Sequence, residues 1–141
     1  MKHERAYRYL FLLAGIYNLA WGLFSALRPQ WLFVFAGMPP ANYPQLFACI
    51  GMIVGVYGIL YLEVARDPRR GFLIAFVGLL GKVLGPIGLA VAIVRGDWPL
   101  RSIVLCVTND FLWWIPFGAY LLHAWPGYQT ALAATDSTSD G

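Results

Sequence analysis

Charged residues make up only 12% of this 141-residue chain, and only two residues are cysteine. So few cysteines exclude a disulfide framework. With 60% hydrophobic residues and a mean hydropathy of +0.63, the chain is too apolar for a soluble domain of this size, because small domains leave much of their surface in water. The net charge of +3 forms no patch suited to nucleic acid. We therefore expect the lipid bilayer as partner and no nucleic-acid partner.

Motifs for common cofactors and catalysts are absent as well. We find no phosphate-binding glycine loop, no metalloprotease motif, no nucleophile elbow and no C-x-x-C pair. The two histidines, His3 and His123, have no cysteine or carboxylate at ligand spacing. The sequence therefore predicts neither a metal nor a cofactor.

Long apolar runs are what the chain does contain. A membrane span needs about 20 mostly apolar residues, and four segments qualify: 7–27, 45–64, 71–94 and 101–123. The predicted fold is all-α, a bundle of four transmembrane helices in one domain over residues 1–126. Residues 127–141, ending in "TALAATDSTSDG", are small and polar and predict a disordered tail.

Lysine and arginine counts at the helix ends predict the orientation. The N-terminus and second loop hold six cations, and the first and third loops hold three. Cytoplasmic loops carry the excess of such residues, so both termini should lie inside. The six are Lys2, Arg5, Arg8, Arg66, Arg69 and Arg70, against Arg28, Arg95 and Arg101.

The first loop is itself apolar, since residues 31–38 read "WLFVFAGM". This segment is too short to span a bilayer. It either lies in the outer interface as a short helix or packs as a loop over the end of the bundle. The sequence leaves both alternatives open.

Glycines mark predicted helix contacts. Gly51 and Gly55 lie four apart in the second span, and the third span carries a longer series: Gly78, Gly81, Gly85 and Gly88. Small residues let helices approach closely inside a membrane. We therefore expect the third span to be the most enclosed helix, and pairing between subunits in a homo-oligomer is a further option.

Three polar side chains reach one depth. With about 1.5 Å of rise per residue, Asn18 and Lys82 lie roughly 16 Å from the inner end of their helices, and Asp110 roughly 14 Å from the outer end. All three are therefore near the middle of a hydrocarbon core about 30 Å thick. An isolated charge there costs at least ~2.5–3.5 kcal/mol. We expect Lys82 to meet Asp110 inside the bundle, with Asn18 and Asn109 hydrogen-bonding around them.

Aromatic residues and prolines accompany this cluster. Asp110, Trp113, Trp114 and Phe117 are predicted to share one helix face, which would give the pocket a wall of tryptophans. Pro86 and Pro116 free the carbonyls of residues 82 and 112 and favour kinks. The predicted catalytic residues are Asp110, Lys82 and Asn109, and the predicted ligand-binding residues are Asn18, Tyr17, Trp21, Trp113 and Trp114.

The first half of the chain resembles the DoxX-like small membrane proteins, a superfamily of four-helix bundles. The segments that carry the likeness are "AGIYNLAWGLF", "RPQWLFVFAGMP", "LFACIGMIVGVYGILYL" and "RDPRRG". The resemblance implies a multi-pass protein of a bacterial-type inner membrane, a group in which the function is often unknown or accessory. It carries no site residues across, because "GKVLGPIG" and "NDFLWWIPF" match no pattern of that family.

Three functional classes follow from these residues. The first is binding of an apolar or amphipathic small molecule, such as an isoprenoid, a sterol-like lipid or a quinone. The second is an enzyme such as an isomerase, cyclase or hydratase, with Asp110 as acid or base. The third is a small transporter, proton relay or accessory subunit in which Lys82 and Asp110 form only a structural pair. No series of ionisable residues leads from the midplane to either face, which disfavours a relay.

Overall fold

A computed structural model describes residues 3–139 of the chain, with side chains described for residues 3–134. In that range every regular element is helical, and four helices are long and apolar enough to cross a membrane. The all-α prediction and the multi-pass prediction are confirmed at this level. The long helices are α1 (Glu4–Leu27), α3 (Pro44–Arg66), α4 (Phe72–Val94) and a composite helix (Leu100–Ala134), and a short helix α2 (Trp31–Ala36) follows α1.

Proline and glycine set the helix boundaries. Helix α3 begins at Pro44, whose missing N–H is no loss in the first helical turn. Helix α2 ends at Gly37, which has a φ of 61°, and the turn after α4 contains Gly96, which has a φ of 80°. Both are left-handed conformations that glycine adopts without a steric penalty. These turns make the long helices run antiparallel to their neighbours in sequence.

Helices α1 and α3 form a tight seam, which we call the glycine seam. A Cβ atom added to Gly22 would lie 2.6 Å from the backbone nitrogen of Gly55, and one added to Gly15 would lie 2.9 Å from the carbonyl oxygen of Gly58. Real Cβ atoms do not come so close, so only glycine permits this approach. The predicted packing role of Gly51 and Gly55 holds here, since Gly51 also lies against the backbone of α1.

Aromatic side chains form the core near the end that holds the N-terminus and the 67–71 turn. Phe11, Tyr61, Phe117 and Tyr120 are all at most 1% exposed, and the rings of Phe11 and Tyr120 lie 4.7 Å apart. The Tyr120 hydroxyl donates to the carbonyl of Pro68 at 2.7 Å. This core ties α1 and the composite helix to the turn between α3 and α4.

The composite helix is not uniform. It starts with a 3₁₀ segment (Leu100–Ile103) and one α-helical turn (Val104–Cys106), continues through a π-helical segment (Val107–Phe111), and ends as a long α-helix (Leu112–Ser139). π-Helical turns are rare and are often found at functional sites. Here the turn contains Asn109 and Asp110.

The last helix continues to Ser139, whereas the sequence predicts a disordered tail over 127–141. Residues 127–134, "GYQTALAA", include three alanines and a leucine, which are strong helix formers, and no proline. Residues 140–141 lie outside the described range.

The prediction that the third span is the most enclosed helix is wrong. Only 17% of α4's most apolar window is buried, against 33% for α1. Gly78 packs on the ring of Tyr61, but a Cβ added to Gly81 or Gly88 would have no heavy atom within 4 Å. The glycines allow close approach, yet no helix of the described chain occupies that side.

Residues 31–36 of the apolar first loop form a short helix. Trp31 Nε1 donates to Ser25 Oγ at 3.0 Å, and the guanidinium of Arg101 donates to the carbonyl of Ala36. Leu32 and Ala36 are buried. The short helix is therefore held against α1 and the start of the composite helix.

Candidate functional site

A cavity of about 200 Å³ lies where α1, α3, α4 and the π-helical turn meet. The three midplane polar residues predicted from the sequence all line it. Its walls also contain apolar and tyrosine side chains from α3 and small residues from α4. The lining residues are Asn18, Ile53, Val54, Tyr57, Tyr61, Val77, Gly78, Gly81, Lys82, Asn109 and Asp110.

The cavity opens between α3 and α4. Ile53 and Val77, one on each helix, are 58% and 43% exposed. On α4 the positions of Gly81 and Gly85 carry no side chain that could cover the polar groups behind them. A molecule could therefore enter sideways from the surrounding apolar medium without crossing a polar surface.

Lys82 is 6% exposed and has one direct hydrogen bond. Its Nζ atom donates to the backbone carbonyl of Asn109 at 2.6 Å. The same ammonium lies 5.7 Å from the centre of the Trp113 ring, within the range of a cation–π interaction. A carbonyl dipole and an aromatic face thus stabilise this charge from the side of the composite helix.

Asp110 is 7% exposed and is held by its own helix. Asn109 Nδ2 donates to Asp110 Oδ1 at 3.1 Å, and the buried Cys106 lies one turn earlier on the same helix. This hydrogen bond holds the carboxylate at the cavity wall while leaving part of its acceptor capacity unused.

The expected direct contact between Lys82 and Asp110 is not formed. No ion pair within 4.0 Å joins the two side chains, although both line the same cavity. The ammonium instead takes the carbonyl that the π-helical turn presents at Asn109. The opposite charges therefore face one cavity without closing it.

The carbonyl freed by Pro86 has a specific partner. Proline lacks an N–H, so the carbonyl of Lys82 has no α-helical donor, and the indole Nε1 of Trp114 donates to it at 3.0 Å. This bond joins α4 to the composite helix beside the lysine. Trp114 is thus a link between helices, and its ring is 37% exposed.

Asn18 is 4% exposed, and its Oδ1 atom has no hydrogen-bond partner in the described part of the chain. Gly15, Gly22 and Ser25 are buried with it in α1. The predicted hydrogen bonding of Asn18 around the charged pair is therefore absent among these residues. A buried amide oxygen without a partner is costly.

The tryptophans and Tyr17 lie outside the cavity lining. The Trp113 ring makes the cation–π contact with Lys82 described above. Tyr17 packs on Trp113, with their ring centres 5.7 Å apart. Trp21 packs on Trp31 at 6.2 Å, in the contact with the short helix. The expected wall of tryptophans is thus replaced by tyrosines, because the faces of α1 and the composite helix that carry the indoles turn toward other helices.

Tyr57, Tyr61 and Gly81 are cavity residues that the sequence analysis did not identify. Ile53, Tyr57 and Tyr61 are spaced four apart, so they share one face of α3, and this spacing was the available signal. It could not be assigned to the cavity, because hydrophobic faces of a membrane helix can point to lipid or to protein.

The site offers a carboxylate, an ammonium and amide groups next to an apolar entrance. Among the described residues, no group of three or more His, Cys, Asp or Glu side chains could hold a metal ion. The arrangement can bind a small polar group attached to an apolar body, and it can exchange a proton with such a group.

Comparison with known proteins leaves the site as the main source of functional inference. No protein-family model, no curated protein and no solved structure matches the chain.

Proposed function

We propose that this protein binds an apolar or amphipathic small molecule, such as an isoprenoid, a sterol-like lipid or a quinone, in the cavity between α3 and α4. The observation that carries the proposal is the pairing of buried charges with an apolar opening. Lys82 and Asp110 are nearly fully buried, yet both face an open space instead of each other. A purely structural pair would be expected to close to contact, since separation in an apolar medium is unfavourable.

The experiment is native mass spectrometry of the protein extracted gently from its own membrane. The wild type is compared with Asp110→Asn and with Gly81→Leu, which adds a side chain to the cavity wall. The matched control is Gly88→Leu, at an exposed α4 position that does not line the cavity.

A discrete bound molecule should be present in the wild type and in Gly88→Leu, and absent or reduced in the two cavity variants. Its mass would indicate the ligand class. An empty wild type, or a bound molecule that survives Gly81→Leu unchanged, would contradict the proposal.

An acid–base enzyme acting on such a lipid is the second candidate. The supporting observation is the position of Asp110 on a π-helical turn, with its carboxylate at a cavity wall where water is scarce. In this mechanism Asp110 would exchange a proton with the substrate, and Lys82 would stabilise the carboxylate. Conversion of the extracted ligand by wild type but not by Asp110→Asn would support it, and unchanged ligand with both proteins would count against it.

We also propose the orientation and location given by the cationic loops. Both termini would face the cytoplasm of a cell whose inner membrane holds the protein, and α2 would lie in the outer interface. Membership of the DoxX-like proteins stays a prediction. A reporter enzyme active only outside the inner membrane should be inactive when fused to the C-terminus and active when inserted in the turn before Leu100. The opposite pattern would reverse the orientation.

A further inference from the structure

The cavity's two charged groups retain unused hydrogen-bonding capacity. An ammonium has three N–H donors, and Lys82 Nζ donates one of them to a protein acceptor, the carbonyl of Asn109. A carboxylate has roughly four lone-pair sites, and Asp110 receives a hydrogen bond from Asn109. Donors and acceptors therefore remain on opposite sides of the same space.

Glycines on α4 leave this space empty. A Cβ added to Gly85 would have Asp110 Oδ2 as its nearest neighbour, at 4.0 Å, and one added to Gly81 would meet nothing within 4 Å. Both positions are exposed. The carboxylate can therefore be reached from the open side of α4.

The cavity is small for a whole lipid. Its volume of about 200 Å³ lies below the range of roughly 300–1,000 Å³ that is typical of pockets enclosing a complete drug-sized ligand. It can hold a head group, while the remainder of the molecule passes the exposed side chains of Ile53 and Val77 into hydrocarbon. The head group must then satisfy both charged side chains.

A hydroxyl meets this requirement with a single oxygen. It accepts through its lone pairs and donates through its hydrogen, whereas a ketone, aldehyde or ether oxygen only accepts. We propose that the cavity selects the hydroxyl head group of an apolar alcohol, because Lys82 and Asp110 face one open space without touching. The oxygen accepts from Lys82 Nζ and its hydrogen donates to the Asp110 carboxylate. This inference rests on the proposed function and favours a prenol or a sterol over a quinone.

The test uses ligands that differ only at the oxygen. Purified protein in mild detergent is titrated with farnesol, farnesal and farnesyl methyl ether, and separately with cholesterol, cholestenone and cholesteryl methyl ether. Binding is followed by native mass spectrometry. A lost hydrogen bond to a charged group weakens binding by about tenfold or more. In at least one series the alcohol should bind about tenfold more tightly than its aldehyde or ketone and its ether.

A double variant provides a second test that does not depend on the stability of single-charge variants. The double variant Lys82→Met/Asp110→Leu has apolar side chains at both positions and leaves no buried charge without a partner. It should bind the members of each series with equal affinity. Gly88→Leu, the control outside the cavity, should keep the preference for the alcohol.

Two results overturn the inference. One is equal binding of the alcohol, carbonyl and ether forms by the wild type in both series. If that binding is still lost in Gly81→Leu, the proposed binding function stands and only the selection of a hydroxyl fails. The other is failure of both alcohols to bind. If the protein from its native membrane is also empty, the proposed function fails with it.

Discussion

Glycines lie both at the glycine seam and at the cavity between α3 and α4, which we call the cleft. The neighbouring helices touch at the seam, whereas the cleft stays open. At the seam, a Cβ at Gly22 would lie 2.7 Å from the Cα of Gly55, so two backbones are in contact. In the cleft, Gly81 has open space in front of it, and the residue after it is the buried Lys82. Glycine permits close helix approach in both places. The neighbouring helix comes into contact only where the glycine-containing face carries no charged side chain.

Empty space in this protein lies beside the buried charges and not beside the glycine seam. At the seam the backbones of α1 and α3 approach so closely that no side chain fits between them. The cleft holds charges whose partners lie on the composite helix, and a cavity remains between α3 and α4 there.

Removing one charge from the cleft should have the largest effect. Asp110→Asn leaves the Lys82 ammonium without its opposing charge and should lower the free energy of unfolding by about 3 kcal/mol. Adding Lys82→Met should restore much of that loss. The measurement is denaturant unfolding in mild detergent.

A different pattern would separate function from structure in this pair. If both single variants are as stable as the wild type or more stable, the two charges do not support the bundle. Their burial would then be a cost that the protein carries for its ligand, as found at many functional sites.

Adding one methyl group should distinguish the seam from the cleft directly. Gly22→Ala forces a Cβ into the backbone of α3 and should cost about 1–3 kcal/mol, since overpacking a close contact shifts the backbone. Gly81→Ala meets no atom and should be neutral or stabilising by up to about 0.5–1 kcal/mol, because alanine suits a helix better. Thermal unfolding of the two variants side by side is the measurement. Equal losses would mean that the cleft closes in the membrane.

The hydrogen bond from Trp114 to the carbonyl of Lys82 should contribute about 1 kcal/mol to the free energy of unfolding. Trp114→Phe should therefore lower that free energy by the same amount. Trp125→Phe is the control, since the Trp125 indole makes no hydrogen bond in the described range and packs on Phe72. In a Pro86→Ala background the carbonyl regains a helical donor, so the effect of Trp114→Phe should shrink. An unchanged effect there would show that ring packing alone is responsible.

The smallest effect is expected at Gly88. This position is open and lies outside the cavity, so Gly88→Leu should change the free energy of unfolding by no more than about 0.5 kcal/mol. Its oligomeric state, measured by native mass spectrometry, should also match the wild type. A change of oligomeric state would mean that a second copy covers this face of α4, which would make the cleft part of an interface.

The sequence predicts most of the fold because apolar runs and their punctuation are local properties. Each of the four spans is long enough to cross a membrane. Pro44, Gly37 and Gly96 lie at helix boundaries because of their own backbone properties, which do not depend on tertiary contacts. The shared depth of Asn18, Lys82 and Asp110 follows from helix rise alone. Their meeting in one cavity agrees with that estimate.

The cavity's walls could not be predicted in the same way. The indole of Trp21 packs on Trp31, and that of Trp113 contacts Lys82. Tyrosines of α3 line the cavity where tryptophans were predicted. Which aromatic residue reaches the cavity depends on how each helix rotates about its axis. In a membrane, lipid-facing and protein-facing residues are equally apolar, so the hydrophobic pattern does not determine this rotation.

Length, hydropathy and helix rise per residue are sufficient to predict a helical membrane protein with three polar groups at one depth. Helix packing, in contrast, is needed to explain three features: Lys82 donates to the carbonyl of Asn109, Trp114 donates to the carbonyl freed by Pro86, and a cavity remains between the opposite charges. These features arise from a π-helical turn and from helix rotation, which are properties of packed helices rather than of any single segment.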